Sequence, residues 1–393
     1  MPDTYLIDLV CSSTGAAVPW ERLQGLSAAG RPLVCRYDLP RVAASVDRDA
    51  IAARPRGMWR WRELLPLPGG HAPVSLGEGD TPLLATPRLA RELGVRRLWL
   101  KDEAGEPTGS FKARGISAAV TMALHLGARA FAVPSAGNAG GALAAYAARA
   151  GVPAHVFVPR DTPEVNQREV LLFGAQLHRI DGLIHDCGRV VAEQREALGA
   201  FDLSTLKEPY RLEGKKTMGL ELLEQLGWRV PDVVVYPTGG GTGLIGVHAA
   251  IAAAAALGWL DEARQPRFVA VQASGCAPIV RAFERGQDEA ALFEGAHTCA
   301  SGLRVPKAVG DRMMLQILRS TGGTAIAIDD DTLMDATREL ARSEGINACP
   351  EAGACIAAIR RLRASGWLRA DDEVVTFNTG AGTKYVEQLP PLS

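Results

Sequence analysis

Neither sign of charge dominates this chain. Lys and Arg total 43 against 44 Asp and Glu, a formal net charge of -1, so no global field recruits nucleic acid or an anionic membrane, and any bound anion must be held by local groups. A secretory leader is not expected either. The start "MPDTYLIDLV" carries aspartates where a basic region would stand, and no small-residue cleavage site follows, so a cytoplasmic protein is expected. The seven cysteines are scattered, which fits reduced thiols. Neither an internal repeat nor a low-complexity tail is present. One stretch, Gly243 to Leu260, lacks formal charge over a membrane-spanning length. Its alanines and glycines supply little apolar area and His248 interrupts it, so a buried helix packed on a sheet is expected instead.

What is present is an ordinary globular composition, 47% hydrophobic and 22% charged over 393 residues, enough for two domains or one large α/β domain. From Arg97 onward, short runs rich in β-branched residues alternate with Ala/Leu-rich segments of helical period. The runs are "RRLWLKDE", "ARAFAVPSA", "PAHVFVP", "QLHRID", "DVVVYPTG", "RFVAVQA", "TAIAID" and "EVVTFNTG". Near-continuous hydrophobicity suits parallel strands covered on both faces. Helices are expected over Asn138 to Ala150, Gly214 to Leu226, Thr332 to Glu344 and Gly353 to Ser365. The stretch before Arg97, with "MWRWRELLPLPGG" and "GEGDTPL", is dense in Pro, Gly and Trp. It reads as a wrap with little strand pattern.

Three of the strands end in glycine-bearing turns, "PSAGNAGG", "PTGGGTG" and "FNTGAGTK". Open parallel sheets place their ligands at such ends. In "DVVVYPTGGGTGLIGV" the order strand, glycine turn, helix brings several backbone N–H groups and the positive end of a helix dipole to one spot, an anion cradle. Gly241, Gly243 and Gly246 also spell the dinucleotide pattern. The next strand, however, ends in Gln272 and Ala273 where a ribose-binding Asp or Glu would stand. No Gly-Lys-Ser/Thr follows these glycines, so a nucleotide P-loop fits worse. A small phosphate is the expected guest, with a structural turn as the alternative.

Lys112 lies in "PTGSFKARG", between a Gly-Ser turn and Arg114. A lysine becomes a Schiff-base nucleophile when its surroundings disfavour the ammonium form, and the like charge of Arg114 would act in that direction. Locally, a solvated lysine in the first turn of a helix fits as well. Combined with a phosphate cradle, a Schiff-base lysine is the inventory for pyridoxal phosphate (PLP).

The segments "KDEAGEPTGSFKARG", "PSAGNAGGALAAYAARAG", "LKEPYRLEGKKTMG", "PTGGGTGLIG" and "FNTGAGTKY" resemble the successive motifs of the threonine synthase family, over about Asp3 to Tyr385. That family belongs to the fold type II PLP enzymes, with threonine dehydratase and the tryptophan synthase β chain. The resemblance implies an α/β fold of two open parallel-sheet domains with the cofactor between them. It implies an N-terminal wrap over 1–75, a large PLP-binding domain from 76–114 and 211–393, and a smaller α/β domain over 115–210. Lys112 would carry the cofactor, Asn138 would face its ring oxygen, and the backbone of Gly239, Gly240, Gly241, Thr242 and Gly243 would hold its phosphate. Thr379 would sit at the pyridine nitrogen, where a neutral hydroxyl cannot hold a proton on the ring as a carboxylate would. Asn138 as a helix N-cap and Thr379 as a plain turn residue are the bland alternatives.

The implied activity is conversion of O-phosphohomoserine and water to threonine and phosphate. Arg211 is then the candidate reader of the substrate phosphate, with Lys215 or Lys216 assisting and Ser135 as a further substrate contact. A solvated helix start explains Arg211, Glu213 and the two lysines equally well. Ser301 and Arg304 are further, weaker candidates for substrate contacts, and Glu351 either caps the helix that follows or lines the cofactor pocket. Family members often begin with paired Cys-x-x-Cys motifs. Here "CSSTG" has Thr14 in place of the second cysteine and Cys35 stands alone, so no metal is expected. Thr205, Leu206 and Ala139 also depart from the family pattern near the substrate. A threonine or serine dehydratase, or β-replacement on O-phosphoserine, is therefore kept as the alternative. The partner expected is a small, phosphorylated amino acid; relatives are commonly homodimers.

Overall fold

The computed structural model describes residues 4–260 and 264–388. Strands β1 (Leu6–Cys11), β2 (Ala17–Val18) and β3 (Leu33–Tyr37) form an antiparallel sheet ordered β2-β1-β3. Then come β4 (Leu83–Ala85) and β5 (Arg97–Asp102), followed by β6 (Phe131–Pro134), β7 (Ala154–Pro159), β8 (Gln176–Ile180) and β9 (Phe201–Asp202). The last four make a parallel sheet ordered β8-β7-β6-β9. Strands β10 (Val233–Pro237), β11 (Arg267–Ala273), β12 (Thr324–Ile328) and β13 (Glu373–Asn378) join β4 and β5 in the order β12-β11-β10-β13-β5-β4. All pairs in that sheet are parallel except β4 with β5.

The chain divides into two compact units. The first holds Met1–Asp80, Lys112–Glu224 and Ile245–Ala263, and the second holds Thr81–Phe111, Gln225–Leu244 and Arg264–Ser393. The sequence reading ends the smaller domain at residue 210, but the helix Tyr210–Gln225 lies almost wholly in the first unit. Its reason is a close helix crossing. A Cβ on Gly214 would collide with the Arg114 carbonyl, and one on Gly115 would lie 2.7 Å from the Arg211 carbonyl. Two glycines thus let the helices Lys112–His125 and Tyr210–Gln225 meet backbone to backbone.

The N-terminal stretch is also better ordered than its composition suggests. Leu9, Cys11 and Leu33 of its sheet are buried, in one apolar cluster with Ile116, Val120, Leu143 and Val156 of the same unit. The pattern escapes the sequence because the β1–β3 register shifts between Leu6 and Asp8, and β2 is only two residues long. In the second unit, Val233, Val235, Val269, Val271 and Val374 pack with Ala352, Ile356 and Ile359 of the helix Pro350–Ala364. The uncharged stretch after Gly243 lies largely in the helix Thr242–Ala256. No described helix is long and apolar enough to cross a membrane.

Candidate active site

In the second unit, β10 has β11 on one side and β13 on the other. The strand order reverses there, and ligands of open α/β sheets sit at the carboxyl ends flanking such a reversal. Strand β10 ends at Pro237, and Thr238 to Gly241 lead into the helix Thr242–Ala256. Among the described residues, no acceptor takes the N–H groups of Gly239, Gly240 or Gly241. Gly241 holds a φ of +82°, and Met314 occupies the space its Cβ would need. A Cβ on Gly239 would likewise collide with the Gly302 carbonyl. The turn therefore keeps bare N–H groups at the positive end of a helix, whose dipole adds roughly 0.3–1 kcal/mol for an anion.

The same unit positions Thr379. The β13 residue before it, Asn378, is buried; its Nδ2 donates to Asp102 Oδ1 at 2.8 Å, and its Oδ1 accepts from the Cys349 N–H at 3.1 Å. The Thr379 carbonyl accepts from the Phe111 N–H at 3.1 Å. Thr379 Oγ1 lies 3.7 Å from the buried Cys349 sulfur, whose pKa burial pushes well up. Glu351 does not cap its own helix. Its Oε1 accepts from the Gly302 N–H at 2.8 Å and from the Tyr385 hydroxyl at 2.7 Å, while its buried Oε2 has no partner. Ser301 and Gly302 belong to a 3-10 turn, after which the Arg304 N–H donates to the Ser301 carbonyl at 3.2 Å. Glu351 thereby ties this turn, which abuts Gly239, to Tyr385.

In the first unit, Lys112 is half-buried at the first position of its helix. Arg114 does not act on it as a lone like charge. Its guanidinium is fully buried and bidentate on Glu221, at 2.6 and 2.8 Å, with Thr217 at 3.0 Å. The paired carboxylate offsets most of the field that the sequence reading ascribed to Arg114.

Asn138 is the first residue of its helix rather than the N-cap, and its Oδ1 accepts from Asn166 Nδ2 at 2.9 Å. The capping work falls to Ser135. Its buried hydroxyl accepts from the N–H groups of Gly137 and Gly140, at 3.2 and 2.9 Å, and donates to the Gly137 carbonyl at 2.7 Å. These bonds commit Ser135 to shaping the turn, which speaks against the substrate contact expected of it.

The solvated helix start is excluded, because Arg211, Glu213, Lys215 and Lys216 are all buried. Lys216 is taken up by an ion pair with Glu213 and lies 4.1 Å above the Tyr37 ring. Lys215 instead packs beside Gly115 and Gly246. Arg211 Nη1 donates to the Leu203 carbonyl at 2.7 Å, but its buried Nε has no acceptor. Burial pushes the Glu208 carboxyl up to about 7 against the pull of Arg211, and burial lowers Arg211 in turn. Leu206 holds a φ of +59° just before this segment. A non-glycine residue in that region costs of order 1–3 kcal/mol and tends to mark functional turns.

Residues 74–380 match the family described as pyridoxal-phosphate dependent enzyme. The chain belongs to this family. As a PLP enzyme it is similar to the threonine synthase of Methanocaldococcus jannaschii, 33% identical over 349 residues covering 88% of this chain and 85% of that protein. The threonine synthase of Methanosarcina acetivorans is 34% identical over 345 residues, covering 88% and 84%. Among solved structures, a threonine deaminase from T.th. superposes with a TM-score of 0.65 at 26% identity, over 80% of this chain and 94% of that one. Maize serine racemase gives 0.66 at 24%, over 77% and 88%, a likeness of fold.

The residues present fit a PLP enzyme's cofactor. In the second unit, three acceptor-free N–H groups at a helix start match a phosphate; the first unit carries Lys112, half-buried at the first position of its helix. Asn166, Asn378 and Gln272, which orient the neighbouring groups, are buried polar residues to which sequence reasoning gave no role in the site.

Proposed function

We propose that this PLP enzyme converts O-phosphohomoserine and water to threonine and phosphate. The observation that carries the reading is the likeness to named threonine synthases over 88% of the chain. The buried, acceptor-free Nε of Arg211 supports a phosphorylated substrate, since a buried donor without a partner costs about 1–3 kcal/mol until an anion takes it.

In this reading Lys112 is the residue that would hold the cofactor, its amine being freed for proton transfer when a substrate amine takes its place. The N–H groups from Gly239 to Gly243 would hold the cofactor phosphate. Asn166 occupies Asn138 Oδ1, which leaves Asn138 Nδ2 to donate to the ring oxygen. The Thr379 hydroxyl would give the ring nitrogen a partner without a charge. When bound, pyridoxal phosphate supplies an electron sink that acidifies the hydrogens of the amino acid. The freed Lys112 amine would take the Cα proton and then a Cβ proton; after the phosphate has left Cγ it would return one proton to Cγ, and, once a water has given its hydroxide to Cβ and its proton to the phosphate, the other to Cα. Arg211, with Lys215 nearby, orients the phosphate and stabilises it as it leaves from Cγ.

The test is an assay of the purified protein with O-phosphohomoserine, O-phosphoserine, threonine and serine, scoring phosphate and 2-oxo acid. Phosphate release from the first compound alone is expected. The likeness to threonine deaminase favours one rival, a dehydratase, and 2-oxo acid from threonine as the dominant product would establish it.

A further inference from the structure

Gln272 is the next-to-last residue of β11, near where a dinucleotide enzyme would carry an acid, and it is fully buried. Its amide serves two elements at once. Nε2 donates to the Thr238 carbonyl at 3.0 Å, while Oε1 accepts from the N–H groups of Ile279 and Val280, at 2.8 and 3.2 Å, in the first turn of the helix Pro278–Glu284. Thr238 is pinned on its other atoms too. Its N–H donates to the Val271 carbonyl at 2.7 Å, and its hydroxyl donates to the Tyr236 carbonyl at 2.8 Å.

The peptide unit joining Thr238 to Gly239 is trans, so its carbonyl and its N–H point in opposite directions. Fixing the Thr238 carbonyl on Gln272 therefore fixes the direction of the Gly239 N–H, the first of the acceptor-free donors in the turn. A flip of this peptide would put a carbonyl oxygen in place of that donor and repel an anion. Only a neutral amide meets both demands, because a carboxylate accepts on both oxygens and cannot donate to a carbonyl.

We propose that Gln272 is the positioning residue of the phosphate-binding turn, setting the Thr238–Gly239 peptide so that its N–H faces the anion. The proposal rests on the reading that Gly239 to Gly243 hold the cofactor phosphate. It concerns the anionic end of the cofactor, and so it predicts a change in discrimination between pyridoxal phosphate and pyridoxal, which lacks the phosphate.

The full-length protein, resolved from its cofactor, is titrated with each compound by visible absorption, as wild type, Q272E and Q272M. Thermal unfolding of each variant is recorded alongside. Wild type is expected to prefer pyridoxal phosphate. Q272M should lower that preference about 10-fold or more, the effect of misplacing one hydrogen bond to a charged group, and Q272E should lower it further. Pyridoxal affinity should stay nearly constant in both. Should Q272E fail to fold, Q272M alone decides. Equal weakening toward both compounds, or an unchanged preference in a folded variant, would overturn the proposal by assigning Gln272 to the fold alone. A wild type that does not distinguish the two compounds would overturn the phosphate reading of the turn, and this proposal with it.

Discussion

Lys112 and Glu208 show how one side chain's setting decides what it can do. If the Lys112 amine moves the protons of the reaction, Lys112→Ala should lower phosphate release by about 10²- to 10⁴-fold, measured under saturating cofactor, with the folded far-UV spectrum kept. Residual activity within a factor of two of wild type would contradict the assignment. Glu208 makes a separate prediction from burial. Its folded pKa is raised from 4.5 to about 7, so the folded state binds this proton more tightly than the unfolded state. The contribution to stability is present below 4.5 and is lost as pH rises through about 7. Replacement by Gln keeps an oxygen for the N–H groups of Tyr210 and Arg211 and removes the titration. Glu208→Gln should therefore gain on wild type between those pH values, by up to about 3 kcal/mol, in urea unfolding at pH 5 and pH 8. A constant difference would refute it.

At the scale of elements, the crossing of the helices Lys112–His125 and Tyr210–Gln225 depends on Gly115 and Gly214. A side chain at Gly214 must push the helices apart, so Gly214→Val should cost about 1–3 kcal/mol in urea unfolding. It should also weaken substrate binding, because Arg211 and Lys215 ride on the displaced helix; an unchanged urea midpoint would contradict this role. The parallel strands were legible because burial on both faces writes continuous apolar runs: "DVVVYP" and "RFVAVQA" fall on β10 and β11. The N-terminal sheet was not, since a register shift and a two-residue strand erase the alternation. Among the candidate residues, the glycine turn could be picked out from local spacing, whereas Lys112 stood out only in combination with that turn and through the family resemblance. Asn166, Gln272 and Asn378 could not be picked out. Each acts on a partner that strand adjacency or helix packing brings near, such as Gln272 on Thr238, and no local pattern records such a pairing.

For the whole molecule, the N-terminal sheet buries Leu9, Cys11 and Leu33 in the apolar core of its own unit. No group of three His, Cys, Asp or Glu able to hold a metal occurs among the described residues. The sheet is held by packing, so excess chelator should leave the melting temperature unchanged, and a drop of several degrees would reveal a metal. Cofactor should act in the opposite way. A ligand that binds only the folded chain stabilises it by about 2.7 kcal/mol at 100 times its dissociation constant. The central claim, however, is that one particular amine carries the cofactor. Borohydride reduction of the cofactor-loaded protein, followed by digestion and mass spectrometry, tests it most directly. The pyridoxyl mass is expected on the peptide containing Lys112; the same mass on a peptide with Lys101, Lys215 or Lys384, or on none, would contradict it.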